Sequence, residues 1–193
     1  MTDFTDAFLD AFNHAMIYEV GGFWNAEDPD VIDGRIDTKE QRRKVGYVNI
    51  PSDRGGETKY GVAQKANVDL NIRAMNLDEA MSVYFDRYWL AGNCNKLPPA
   101  LAIIHFDGCV NHGVGKAAKF LQRAAGVNPD GAIGPATLRA VGAADEAQLI
   151  QEISQLRTDF YNAIVQRDAS QGMFLKGWMK RINEVTDFTL AQL

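Results

Sequence analysis

Apolar residues recur at helical spacing over much of this chain, and the pattern begins near its start. Phe8 and Phe12 fall on one face of the first predicted helix, and Glu19 falls on the same face. Gly21 and Gly22 follow Glu19 directly and predict the end of this helix. The pattern therefore places an acidic residue at the end of an apolar stripe, beside two glycines.

Helix-capping residues and apolar spacing predict further helices from residue 76 onward. These are expected from Asn76 through Trp89, from Ala100 to near Gly113, from Lys116 to Ala125, from Pro135, from Asp145 to Asp168, and from Gly177. The alternation of Thr58 and Tyr60 indicates a small strand region near residues 47 to 62. The sequence thus predicts a mainly α fold with a small β-hairpin region.

The segment from Asn25 to Val48 is charged and irregular. Residues 28 to 34 faintly resemble a calcium loop, but the third acid and the glycine come one position late and Pro29 interrupts the pattern. A solvated loop with turns is the favoured interpretation. Residues 38 to 44 are rich in Lys and Arg, and they predict a short helix or strand edge with a solvated face.

Composition limits the classes of function. The chain has 193 residues and 46% hydrophobic residues, enough for one core in a single domain or in two small halves packed together. The formal net charge is −5, and the absence of a basic stripe disfavours nucleic-acid binding. No apolar run reaches membrane-spanning length, and the polar start of the chain is unlike a signal peptide, so we expect no membrane insertion and a cytoplasmic location.

Cys94 and Cys109 are the only cysteines, and they lack CxxC spacing. We expect free thiols, with Cys109 buried in a helix; a disulfide formed after release is the less favoured alternative. His105 and His112 lie seven residues apart on one helical face and are interpreted as packing or hydrogen-bonding residues. No cofactor and no metal are predicted.

Glu19 is the first candidate for chemistry. A carboxyl at this position is expected to be partly desolvated and to lie near the negative end of the helix dipole, and both effects disfavour its charged form. A protonated carboxylic acid is the group needed to protonate the leaving oxygen of a glycosidic bond. The alternative is a helix-terminal glutamate that reaches into water, and residue physics alone favours that alternative.

Several motifs in shared order resemble those of glycoside hydrolase family 108, the bacteriophage and bacterial N-acetylmuramidases. Glu19-Val20-Gly21-Gly22-Phe23 resembles the family's Glu-Gly-Gly-Tyr signature, with Val and Phe as departures that remove a phenolic hydroxyl at position 23. Two later stretches, 53–61 and 84–89, are similar to the family's Asp-x-Gly-Gly-x-Thr-x-Tyr-Gly and Tyr-x-x-x-Tyr-Trp runs. Residues 106–113 and 120–123 resemble the companion predicted peptidoglycan-binding region.

The resemblance implies a lysozyme-like fold and hydrolysis of the β-1,4 bond between N-acetylmuramic acid and N-acetylglucosamine. It implies that Glu19 is the acid, that Asp53 activates or positions water or stabilises charge, and that Thr58 positions water. Glu57 is a rival for the second carboxylate role, and turn capping is an equally weighted alternative for Asp53. The remaining candidates are substrate-binding residues, namely Gly22, Phe23, Tyr60 and Asn111.

The resemblance further implies a catalytic muramidase region over residues 1–95 and a helical predicted peptidoglycan-binding region over residues 96–193, packed into one lysozyme-like unit. The implied setting is a monomeric phage endolysin, held in the host cytoplasm until a separate holin releases it to peptidoglycan. A bacterial prophage or secretion-associated muramidase fits equally well. Two alternatives stay open: a lytic transglycosylase, which uses Glu19 alone, and a non-catalytic wall-binding protein.

Overall fold

A computed structural model describes residues 4–49 and 56–193. Over these residues the protein is mainly α-helical, as predicted, with one antiparallel pair of short strands. Asp53, the predicted second catalytic carboxylate, lies outside the described residues. Its role therefore stays a prediction.

The described part of the chain contains nine α-helices and two strands. The helices are α1 (Asp6–Glu19), α2 (Pro29–Ile32), α3 (Lys39–Lys44), α4 (Leu77–Tyr84), α5 (Pro99–His112), α6 (Val114–Ala124), α7 (Pro135–Ala143), α8 (Glu146–Arg167) and α9 (Gly172–Leu190). The strands are β1 (Thr58–Lys59) and β2 (Val62–Ala63), and a π-helical segment, Phe85–Leu90, follows α4. Short 3-10 turns lie at Gln64–Ala66, Cys94–Lys96 and Ala169–Gln171.

The chain divides into two compact units. The first unit contains Phe4 and Phe12–Asp86, and the second contains Thr5–Ala11 and Arg87–Leu193, so α1 contributes residues to both. These two units are groups of residues in mutual contact, and they are not shown to fold separately. The predicted boundary at residue 95 between two regions therefore stays a prediction.

Two short helices occupy the segment from Asn25 to Val48 in the first unit. The side chain of Asp28 caps α2, and Lys44 pairs with Asp28 at 2.8 Å and with Asp30 at 3.1 Å. The acidic residues Asp28 and Asp30, in the stretch that faintly resembles a calcium loop, therefore pair with Lys44, and Asp28 also caps α2. Thr38 and Gln41 form a capping box at the start of α3, which decides for a helix rather than a strand edge.

The β-hairpin holds this segment in place through buried hydrogen bonds. Tyr60 is fully buried, its hydroxyl donates to the carbonyl of Val31, and its backbone N–H donates to the carbonyl of Val45 at 2.7 Å. Lys59 is also fully buried, and its Nζ donates to the carbonyl of Gly34 at 2.6 Å. Burial lowers the pKa of Lys59 to about 8.

The helix predicted from Asn76 is confirmed. Asn76 and Glu79 form a capping box, which satisfies backbone N–H groups that the first turn leaves without helical partners. The chain stays helical past Tyr84 through the π-helical segment, which includes the buried Trp89. The predicted extent through Trp89 is therefore right, although its last turns have wider geometry.

In the second unit, α5 packs against α6 and α9, and α8 packs against α9. Phe8, Trp89 and Phe106 form an aromatic cluster with ring centroids 5.5 to 5.8 Å apart. The prediction that the last helix opens at Gly177 is wrong, because α9 begins at Gly172. Met173 and Phe174 in its first turn are exposed, so the apolar stripe does not extend to the true start.

A buried ion cluster links three helices of the second unit. Asp107 on α5 accepts hydrogen bonds from Arg157 on α8 at 2.5 Å and from Arg181 on α9 at 2.9 Å. Burial alone raises the pKa of Asp107, but the two guanidinium groups outweigh that effect and hold it below its ordinary value. Asp107 thus stabilises the helix packing.

Candidate active site

Glu19 is the last residue of α1, and the glycine pair ends the helix as predicted. The N–H of Gly22 donates to the carbonyl of Ile17 at 2.8 Å, and both Gly21 and Gly22 have left-handed backbone, with φ of +81° and +84°. This is the bond pattern of a Schellman cap, which residues with a Cβ adopt at a cost. The glycine pair therefore turns the chain sharply beside the carboxyl group.

The turn of the β-hairpin lies against the side chain of Glu19. Tyr60 and Gly61 form a two-residue turn with φ of +50° and +75°, the signs of a type I′ turn. A Cβ atom at Gly61 would be 3.1 Å from Oε2 of Glu19, and it would also crowd the hydroxyl of Tyr84. The hydroxyl of Tyr84 and the side chain of Glu19, a half-buried residue, thus occupy the space that a side chain at position 61 would take.

Thr58 lies on the same hairpin and is half-buried. Its N–H donates to the carbonyl of Val48 at 2.8 Å, and its carbonyl accepts from the N–H of Val48 at 2.9 Å. These bonds fix the backbone that carries the hydroxyl. The structure brings Thr58 and Glu19 into one unit, while the water-positioning role of the hydroxyl stays a prediction.

Glu57 is already engaged by three donors. Its Oε1 accepts hydrogen bonds from Tyr47 and Asn49, both at 2.8 Å, and from Arg73 at 3.5 Å. In the sequence, Asn49 precedes residues 50–55 and Glu57 follows them. This arrangement favours a structural role for Glu57, because its Oε1 is already bonded to donors of the protein.

Phe23 follows the glycine pair, and its side chain is 50% exposed. The guanidinium carbon of Arg43 lies 4.2 Å from the centre of its ring, a cation–π contact. A surface pocket of about 490 Å³ surrounds this contact; its lining residues are Phe23, Lys39, Glu40, Arg43 and Lys44. The basic character of residues 38–44 was visible in the sequence, but its contact with Phe23 was not.

Tyr60 corrects one prediction. It was expected to contact substrate, but its side chain is fully buried and its hydroxyl is bonded to Val31. It supports the hairpin turn from within the first unit. Gly22, by contrast, is exposed, as a substrate-contacting backbone needs to be.

Asn111 belongs to the second unit and is half-buried. The hydroxyl of Tyr161 donates to its Oδ1 at 2.6 Å, and the ring of Tyr161 stacks on Trp178 with centroids 4.4 Å apart. Phe174, 47% exposed, lies 5.8 Å from Trp178. The amide of Asn111 is thus bonded to Tyr161, the first of three aromatic side chains in contact, and the last of them, Phe174, is exposed.

Comparison with known families decides the class of the protein. Residues 41–113 match the family described as glycosyl hydrolase 108, and residues 116–183 match the family described as a predicted peptidoglycan domain. Residues 41–113 thus form a glycosyl hydrolase 108 region. The chain is a glycoside hydrolase, and the two families together make it a peptidoglycan hydrolase.

The matched residues have two consequences for the site. The glycosyl hydrolase 108 match begins after Glu19, so the acid and its glycine pair precede it, whereas Thr58 and Tyr60 fall inside it. The match ends at Gly113, directly after α5, and includes Asn111. The predicted peptidoglycan domain then covers most of α6, all of α7 and α8, and part of α9.

A solved structure supports the fold. The chain is similar to the solved structure of Brucella abortus SagA, with a TM-score of 0.64 and 28% sequence identity. The similarity covers 75% of this chain and 86% of the SagA chain. The fold is mainly α and lysozyme-like. No curated protein matches the chain. Among the described residues, none of the helices combines the length and the apolar character needed to cross a membrane.

Proposed function

We propose that this glycosyl hydrolase 108 protein is an N-acetylmuramidase with Glu19 as its general acid. The observation that carries the proposal is the position of Glu19, half-buried at a glycine-capped helix end and against the turn at Gly61. A carboxyl that is shielded from water, yet beside an exposed glycine corner, suits proton donation to a bound glycan.

In the proposed reaction, Glu19 protonates the oxygen that leaves the muramic acid residue. Positive charge develops on the sugar ring as the glycosidic bond breaks, and a second carboxylate stabilises that charge or activates the attacking water. The products are a glycan chain with a reducing N-acetylmuramic acid end and one with a new N-acetylglucosamine end. Thr58 is proposed to orient the water through its hydroxyl.

Asp53 is the proposed second carboxylate, and Glu57 is the rival. Because Oε1 of Glu57 accepts from Tyr47, Asn49 and Arg73, we assign Glu57 to holding the chain on either side of residues 50–55. Asp53→Asn is then expected to reduce hydrolysis far more than Glu57→Gln. The reverse order would give the catalytic role to Glu57.

Two surfaces are proposed to hold the substrate. The exposed ring of Phe23, beside Gly22, offers an apolar face for a sugar, and Lys39 and Arg43 offer positive charge to the carboxylates of the peptide stems. In the second unit, the amide of Asn111 is proposed to hydrogen-bond the glycan strand. Peptidoglycan supplies both kinds of group.

Digestion of purified peptidoglycan by the wild type and by Glu19→Gln tests the proposal, with fragments analysed by mass spectrometry. We expect reducing muramic acid ends from the wild type and none from the variant. Anhydro-muramic ends would instead identify a lytic transglycosylase, and reducing N-acetylglucosamine ends would identify a glucosaminidase. No fragments from either protein would favour a wall-binding protein without catalysis.

The control is Glu27→Gln, which removes the charge of an exposed glutamate in the same unit. It is expected to digest peptidoglycan as the wild type does. Circular dichroism of both variants separates loss of chemistry from loss of fold.

The proposed setting is a phage endolysin, monomeric and held in the host cytoplasm until a holin opens the membrane. Co-expression with a holin tests this setting: lysis should require both proteins and an intact Glu19. Lysis by the enzyme alone would point to another route of export.

A further inference from the structure

Three buried side chains with metal-binding atoms meet in the second unit. Sγ of Cys94, a ring nitrogen of His105 and Sγ of Cys109 all lie within 4.8 Å of one another. Both thiols are fully buried, and His105 is 1% exposed. The reaction proposed above uses none of the three.

The local fold explains how they meet. His105 and Cys109 are four residues apart on α5, so their side chains lie on the same face of that helix, one turn from each other. Cys94 begins the 3-10 turn that precedes α5. Gly92 allows this approach, because a Cβ there would be 2.8 Å from Sγ of Cys109 and 3.3 Å from Sγ of Cys94.

We propose that Cys94, His105 and Cys109 bind one Zn²⁺ ion. Two thiolates and one imidazole are the ligand types that zinc prefers, and two thiolates neutralise its charge. A neutral complex suits a site that is closed to water, because burial penalises net charge.

The distances fit a zinc site. With Zn–S of about 2.3 Å and Zn–N of about 2.0–2.1 Å in tetrahedral geometry, a sulfur and a nitrogen ligand lie roughly 3.6 Å apart. Sγ of Cys109 and Nε2 of His105 are 3.6 Å apart. The carbonyl oxygen of Gly92 lies 3.0 Å from the same Nε2 and is a candidate fourth ligand.

On binding of Zn²⁺, each thiol gives up its proton to solvent. The proton that Nε2 of His105 donates to the Gly92 carbonyl moves to Nδ1, which frees the Nε2 lone pair for the metal.

Cobalt titration of the purified full-length protein tests the proposal. The protein is first reduced and freed of metal with a chelator. We expect one equivalent of Co²⁺ to give tetrahedral d–d bands and thiolate-to-cobalt charge-transfer bands, and one equivalent of Zn²⁺ to abolish them. Zn²⁺ is also expected to raise the melting temperature.

Cys94→Ser and Cys109→Ser should each lose the charge-transfer signal, while His14→Gln, which alters a histidine outside the cluster, should keep it. The wild-type titration carries the test even if a variant fails to fold, and circular dichroism identifies that case. Thiol counting in denaturant completes the design. If two free thiols are counted but Co²⁺ gives no signal, the proposal is overturned. If no free thiols are counted in protein that was never reduced, the two cysteines form a disulfide and the proposal is overturned as well.

Discussion

Oε2 of Glu19 lies so close to the backbone of Gly61 that a Cβ atom at position 61 would be only 3.1 Å from it. Gly61 also has φ of +75°, in the region where residues with side chains are strained. One glycine therefore closes the hairpin turn and leaves room for the proposed acid.

Gly61→Ala should impair both stability and hydrolysis. The left-handed backbone is expected to cost about 1–2 kcal/mol of unfolding free energy. Displacement of the Glu19 carboxyl should reduce the hydrolysis rate by up to about 100-fold. Urea unfolding and a peptidoglycan digestion assay measure the two effects separately.

Gly177→Ala provides the matched control. Gly177 lies within α9, and a Cβ there meets nothing within 4 Å. We expect this variant to gain roughly 0.5–1 kcal/mol of stability with unchanged hydrolysis. If Gly61→Ala and Gly177→Ala lost equal activity, position 61 would have no special role in hydrolysis.

Arg43→Gln should weaken binding of peptidoglycan without slowing the chemical step. The variant loses the cation over the Phe23 ring and one positive charge of the pocket. A several-fold rise in KM with little change in kcat is the expected result, because the contact holds substrate and transition state alike. Steady-state digestion of soluble peptidoglycan fragments measures both constants.

Arg139→Gln, at an exposed position on α7, is the control for the loss of charge and should change neither constant. A fall in kcat alone for Arg43→Gln would contradict the proposed binding role.

Asp107→Asn should strongly destabilise the protein. It leaves Arg157, which is fully buried, and Arg181 without their shared carboxylate. Removing one partner of a buried ion cluster typically costs about 3–5 kcal/mol. Urea unfolding measures the loss, and the exposed Asp159→Asn should stay within about 0.5 kcal/mol of the wild type. A loss below about 1 kcal/mol would mean that the arginines find other partners.

His112 should make stability depend on pH. Burial, and next the charge of Arg157, lower its pKa from 6.5 to about 3. Below pH 6.5 the unfolded chain binds a proton that the folded protein does not, so the unfolding free energy falls as pH falls toward 3.

His112→Gln should remove this contribution. Between pH 7 and about pH 5 the wild type is expected to lose up to roughly 2 kcal/mol more than the variant. Urea unfolding across that range provides the measurement. Parallel curves for the two proteins would show that His112 titrates normally in the folded state.

Local signals in the sequence were sufficient for most of the helices. The capping box of Asn76 and Glu79, the prolines in the first turns of α5 and α7, and the glycine pair after Glu19 each act within a few residues, so the sequence displays them directly. The start of α9 was misplaced because Met173 and Phe174 are exposed apolar residues that break the stripe.

The contacts of the candidate site depend on chain segments that are far apart in sequence. Thr58 and Tyr60 alternate in the sequence, but only the fold shows that Tyr60 is enclosed by Val31 and Val45, some 15 to 29 residues earlier. The contact of Arg43 with Phe23 and the meeting of Cys94 with His105 are equally non-local. Residue type and spacing along the chain carry no signal for such pairs.

The buried amine of Lys59 has a consequence for engineering. Its Nζ donates to the carbonyls of Gly34 and Arg73, and the hydroxyl of Tyr60 donates to the carbonyl of Val31. Residues 25–48 therefore satisfy polar groups beneath the hairpin. A minimal enzyme made by trimming this apparent insertion would remove one of the two carbonyl acceptors of the buried ammonium group and the acceptor of the Tyr60 hydroxyl. Chimeras and truncations should therefore exchange the segment and the hairpin together, as one transferable module.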